Sequence, residues 1–161
     1  MHEENVRDRT DASLRERFLD RFTAIQNAPY ALFNDITLVS ASKEEIRTRM
    51  PVTSDKMNSL GFVHGAAIFA IADCTFAYAA NLSDDIQIAI SASILYHKPG
   101  VGKELTASST PVSETNSLSA HNVRIFCDGK HIATAVFSGF KMKDRKDRDT
   151  ASAARTQDSM P

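Results

Sequence analysis

His64-Gly65-Ala66-Ala67-Ile68-Phe69-Ala70-Ile71-Ala72-Asp73-Cys74-Thr75-Phe76-Ala77-Tyr78-Ala79-Ala80-Asn81 reads as a helix of about five turns, apolar nearly all round. Alanine favours helix, and a helix without a polar face must be buried. Four strand-like runs follow it: Ile86 to His97, Glu104 to Ser113, Ser117 to Cys127 and His131 to Met142. Lys98-Pro99-Gly100, Glu114-Thr115-Asn116 and Asp128-Gly129-Lys130 separate them, and Asp-Gly between alternating runs is a strong hairpin signal. Each run is roughly ten residues, against a usual strand of about five or six. Long neighbouring strands joined by tight turns predict an antiparallel, strongly curved sheet packed on the one greasy helix.

Before the helix, Leu14, Phe18, Phe22 and Ile25 recur at three- and four-residue spacing, which predicts an amphipathic helix over 12–28. Asp11 or Ser13 caps it, and Asn27 and Pro29 end it. Thr37, Val39 and Ala41, then Ile46, Thr48 and Met50, predict two short strands around a Ser42-Lys43-Glu44 turn. Residues 51–61 read as an irregular loop.

A length of 161 residues suits one domain. We expect residues 1–11 to be a flexible N-terminus, 12–143 the folded domain, and 144–161 a disordered tail, because the tail mixes charge without apolar periodicity. A net charge of -1 gives no reason to expect nucleic acid or an anionic membrane as partner. No run is long enough to span a membrane, and Met1 to Thr10 lacks a signal-peptide core, so the reading is cytoplasmic. Cys74 and Cys127 are read as free thiols, and no residue spacing suggests a metal site. His97, His121 and His131 are read as structural or exposed.

Asp73 is the residue that packing does not explain. Phe69, Ala70, Phe76 and Ala77 lie three and four positions away, and an unpaired carboxylate among them costs several kcal/mol. It either faces an exposed edge, pairs with a buried donor, or works. Gly65, at the expected helix start, offers a backbone N–H with no partner inside the helix. Such a donor could bind a thioester carbonyl and the oxyanion formed on attack. Eight residues of helix rise about 12 Å, so one helix cannot bring both groups to one carbonyl. If both act together, Asp73 comes from a second chain, and the greasy helices run side by side.

Asn58-Ser59-Leu60-Gly61-Phe62-Val63-His64-Gly65-Ala66, Ile71-Ala72-Asp73, Phe76-Ala77-Tyr78-Ala79-Ala80-Asn81 and Leu95-Tyr96-His97-Lys98-Pro99-Gly100 together resemble the PaaI-type hotdog thioesterases. The likeness runs from about Leu14 to Lys143. It implies an α+β hotdog fold, a long central helix wrapped by a curved antiparallel sheet, with an N-terminal helix added. It implies hydrolysis of an acyl-CoA, aryl-acetyl or medium-chain, with coenzyme A as part of the substrate and no other cofactor. Asp73 would be nucleophile or general base, and the Gly65 N–H the oxyanion donor. Asn58 would hold the attacking water or the carboxylate, His64 would orient the thioester, and Ser91 would supply an assisting hydroxyl. Ala66 stands where the family has a second glycine; its amide survives, and its methyl would narrow the acyl or pantetheine path. A homodimer, or a dimer of dimers, is the implied assembly.

Other readings compete. A hydratase or dehydratase on this fold needs a paired histidine and acid that the Asn/Gly/Asp set lacks. A non-catalytic acyl-CoA sensor usually carries a DNA-binding unit, for which one N-terminal helix is too little. No Gly-x-Ser-x-Gly supports a serine hydrolase.

Overall fold

Alternation of apolar and polar residues organises most of the sheet. In β5 (Leu118–Cys127), Ser119, His121, Val123, Ile125 and Cys127 point inward and are buried, while the residues between them face out. The computed structural model describes residues 12–83 and 85–142. The expected cap Asp11, the N-terminus 1–11 and the tail 144–161 lie outside the described residues.

The remaining strands are β1 (Thr37–Ala41), β2 (Ile46–Pro51), β3 (Ile86–Tyr96), β4 (Glu104–Glu114) and β6 (Lys130–Met142). They form one antiparallel sheet in the order β1-β2-β4-β5-β6-β3. Register shifts interrupt four of the five pairings, and such bulges add the twist that curls a sheet. Asp128 and Gly129, at φ 43° and 76°, make the left-handed two-residue turn that Asp-Gly predicts.

The order corrects one expectation. β3 does not turn back tightly onto β4; it pairs with β6 at the far edge of the sheet. Residues 97–103 instead cross beneath the loop that precedes the long helix, where the Gly100 carbonyl accepts the Val63 N–H at 2.9 Å. A Cβ on Gly100 would lie 2.9 Å from Val63 Cβ, so this crossing requires glycine.

The N-terminal helix is also different from its expectation. It is split into α1 (Ala12–Arg17) and α2 (Leu19–Gln26) by Phe18, at φ -119° and ψ 25°. Pro29 does not simply end it but opens α3 (Pro29–Phe33), at a position where a missing N–H is harmless. Leu14 and Phe22 pack with Ala41, Ile46, Tyr78 and Leu82 in a small second core.

The long helix, α4 (Gly65–Asn81), lies on the concave face. Ile68, Ile71, Ala72 and Phe76 sink into the main core, and Phe76 stacks on Phe137 of β6 at 5.0 Å. Each large side chain buried there contributes about 1.5–3 kcal/mol. Thr75 and Thr48, both fully buried, satisfy one another at 2.6 Å. At the helix end the Asn81 amide bridges Ala77 and Gln87, tying α4 to β3.

Burial on every side of α4, as expected from its composition, is not reached within one chain. Ala66 is exposed, and Phe69, Asp73, Cys74 and Ala77 are only half-buried. These positions share one flank of the helix. Beside it, β3 is exposed along most of its eleven residues, including Ala89 and Ala92 on the helix side.

Candidate active site

The loop before α4 is built by Asn58. Its Oδ1 accepts the N–H groups of Leu60 (2.9 Å) and Phe62 (3.1 Å), and its own N–H donates to the Phe62 carbonyl at 2.8 Å. Gly61, at φ 77°, makes the left-handed turn inside this ring of bonds. The side-chain oxygen of Asn58 is thereby committed to the fold, and its NH2 is the group left to meet a ligand. The His64 N–H then donates to the Lys56 carbonyl at 2.8 Å, which anchors the residue that starts the helix.

His64 is the N-cap. Its Nδ1 accepts the Ala66 N–H at 3.0 Å, and its carbonyl accepts from Ala67 and Ile68. With Nδ1 accepting, a neutral ring carries its proton on the exposed Nε2. Of the first amides of α4, only the Gly65 N–H has no hydrogen bond among the described residues. Gly65 lines a cavity of about 360 Å³ together with Asn58, Phe62, Ile68, Tyr96, Lys98 and residues next to them.

The structure therefore brings Asn58 and Gly65 together, with His64 at the helix start beside them. It does not bring Asp73 into that cavity. Asp73 sits two turns further along α4, half-buried on the open flank. Burial raises its carboxyl above the ordinary value, and no hydrogen bond or ion pair holds it among the described residues. Cys74 beside it is not a competing nucleophile: burial, then the Asp73 charge, pushes its thiol up to about 12. Ser91 pairs with Ser138, whose neighbours Phe137 and Gly139 face the core, so both serines point away from α4. Ser91 does not line the cavity, and neither does Ala66, whose amide is occupied by His64.

Tyr96 is the cavity residue to which sequence reasoning assigned no role. Its hydroxyl donates to the Gly65 carbonyl at 3.1 Å, thirty-one residues away in sequence. Its position as the aromatic residue before Pro99-Gly100 was the available signal. A second, larger cavity of about 550 Å³ lies at the other end of α4, between α1 and the sheet, with the buried His121 in its floor. Burial lowers the pKa of that imidazole, and Phe76 meets it edge-on at 5.4 Å.

Residues 60–134, which carry the helix start, α4 and the crossing loop, match the family model described as the thioesterase superfamily. That match spans just under half of the chain. The chain is similar in structure to the PaaI protein of the E. coli phenylacetic acid degradation operon, with a TM-score of 0.74. That likeness covers 80% of this chain and 95% of the other at 21% identity. A hypothetical thioesterase of Streptococcus pneumoniae, solved with coenzyme A, superposes with a TM-score of 0.68 over 79% of this chain and 98% of its own, at 18% identity. In sequence, a Deinococcus radiodurans protein provisionally named an esterase is 27% identical over 110 residues, 68% of this chain and 75% of that one. The fold is the hotdog fold, and the activity that goes with this superfamily is thioester hydrolysis. No helix among the described residues is long and apolar enough to cross a membrane.

Proposed function

We propose that this chain hydrolyses an acyl-CoA, aryl-acetyl or medium-chain, at a site shared by two copies of itself. The observation that carries the reading is Asp73: an acid raised by burial, without a partner among the described residues, on the flank of α4 that those residues leave open. The Gly65 N–H of one protomer takes the thioester oxygen, where the positive end of α4 favours the developing oxyanion. Asp73 of the partner subunit attacks the carbonyl carbon, or takes a proton from the water that does. The C–S bond breaks and the thiolate leaves as coenzyme A, taking a proton from Asp73 in the water route or from solvent. Where Asp73 itself has attacked, water then cleaves the acyl–Asp73 anhydride to release the acid. Asn58 donates to the water or the carboxylate through its NH2. The bound coenzyme A of the Streptococcus pneumoniae relative supports the choice of thiol.

A second copy is also what the surface asks for. β3 is an eleven-residue edge strand with Ile88, Ile90, Leu95 and Tyr96 exposed, and such an edge invites strand pairing. Pairing two β3 strands sets two α4 flanks, lined by Ala66, Phe69 and Ala77, close enough to share Asp73. On the outer face of the sheet, Leu118, Val136 and Phe140 are exposed beside Asn122, whose buried Oδ1 has no hydrogen bond; this patch suits a dimer of dimers. The expected setting is the cytoplasm, with no cofactor beyond the substrate's coenzyme A.

The test is release of free thiol from a panel of acyl-CoA esters. Hydrolysis of aryl-acetyl or medium-chain esters, lost in Asp73→Asn, is the expected result. Binding of acyl-CoA without any turnover would replace the enzyme with a sensor.

A further inference from the structure

The peptide unit joining Gly65 to Ala66 is held at both ends by side chains. Its N–H donates to His64 Nδ1 at 3.0 Å, and its carbonyl accepts the Tyr96 hydroxyl at 3.1 Å. These partners come from opposite sides, one from the cap of α4 and one from the last residue of β3. The Tyr96 hydroxyl and ring also lie over the Gly65 Cα: a Cβ built there would meet Oη at 3.4 Å, Cζ at 3.5 Å and Cε1 at 3.7 Å. Tyr96 pairs with Ala133, which turns its side chain to the helix side of the sheet, where it walls the cavity beside the open Gly65 N–H. These are ordinary van der Waals distances, so the phenol rests directly on the first turn of the helix.

We propose that Tyr96 is the positioning residue of the oxyanion turn, fixing the first peptide of α4 so that the adjacent Gly65 N–H points into the cavity. The proposal rests on the reading that this N–H receives the thioester oxygen. Tyr96 does not touch the reacting atoms; it removes the freedom of the turn that does. An amide held in place before the substrate arrives costs no reorganisation as negative charge develops, so the benefit is in turnover more than in binding. Because Tyr96 stands at the exposed edge of the sheet, its hold on Gly65 also links the order of that edge to the order of the site.

The experiment compares wild type, Tyr96→Phe and Asp73→Asn on the acyl-CoA ester turned over best, with the oligomeric state of each recorded. Tyr96→Phe keeps the wall and deletes one hydrogen bond, so kcat falls about three- to tenfold while KM stays within about twofold. Equal kcat in Tyr96→Phe and wild type, with Asp73→Asn inactive, overturns the proposal and leaves the shared site standing. Wild-type turnover in Asp73→Asn removes the shared site and the proposal with it. Should Tyr96→Phe lose its assembly, 3,5-difluorotyrosine placed at 96 decides, since its phenol ionises well below that of tyrosine. A new descending limb in kcat as that phenol ionises, at constant KM, is expected; a profile superimposable on wild type refutes the role.

Discussion

His64 Nδ1 accepts the Ala66 N–H at 3.0 Å, and this bond decides which amide at the start of α4 remains open. Ala66 replaces a glycine of the family pattern, yet its amide is already satisfied by the cap. The free donor is Gly65 alone, and it faces a cavity that Ala66 does not line. The methyl of Ala66 lies on the exposed helix flank beside Asp73, so its effect belongs to the approach of a second helix.

Removing that cap has two consequences. His64→Ala leaves the Ala66 N–H without its acceptor and is expected to cost about 1 kcal/mol of stability. It also frees a second donor beside Gly65, so thioester turnover should fall as the oxyanion turn loosens. Thermal unfolding and thiol release on the same preparations check both; unchanged melting would contradict the capping role.

Asp73→Asn is expected to lower thioester hydrolysis at least about a hundredfold, in line with losing an acid–base group or nucleophile. The assembly should remain folded, since the replacement is nearly isosteric. Thiol release together with analytical ultracentrifugation measures the two sides, and a variant with wild-type turnover would eliminate the mechanism.

The pH dependence follows from burial of the same acid. Its carboxyl titrates above the ordinary value in the folded chain, so the reactive carboxylate is lost as pH falls through that raised pKa. The acid limb of kcat should therefore lie above the usual range near about 4. For stability the sign is opposite. The folded state holds this proton more tightly than the unfolded one, so ionisation of Asp73 weakens the fold as pH rises through the raised pKa. Asp73→Asn should melt higher than wild type near neutral pH, and the difference should vanish below the pKa of the unfolded chain. Melting curves across the acid range read this directly.

Assembly can be separated from chemistry at β3. Ala92 faces the helix side of the edge strand and is exposed in the single chain. Ala92→Arg puts a long cation into the proposed seam between two protomers. The expected outcome is a folded monomer with little hydrolysis, seen by sedimentation and circular dichroism. A fully active monomer would remove the shared site.

Element by element, what could be read from the chain follows local periodicity. β1, β2 and the turn at Ser42 match the spacing of their apolar residues, and α4 begins and ends where the alanine run does. The three tight connections were not equal. Asp128-Gly129 makes a hairpin because its backbone preference is local, whereas Lys98-Pro99-Gly100 links β3 at the sheet edge to β4, with β6 and β5 lying between them. Phe18 and Pro29 break the expected single helix for a related reason: α1 and α2 pack on the second core around Tyr78, whereas Ala31 of α3 packs on the main core.

The site divides in the same way. Gly65 as a free helix-start donor, and Asp73 as an acid that packing would not choose, are both written in the sequence, because helix geometry and the cost of burying charge depend on neighbours a few residues away. Which face of α4 stays uncovered, that Ser91 points outward, and that Tyr96 rests on Gly65 were decided only by the folded sheet. Those contacts join residues thirty-one or more positions apart in sequence, through pairing registers that bulges shift by one residue, and no local pattern records such a shift.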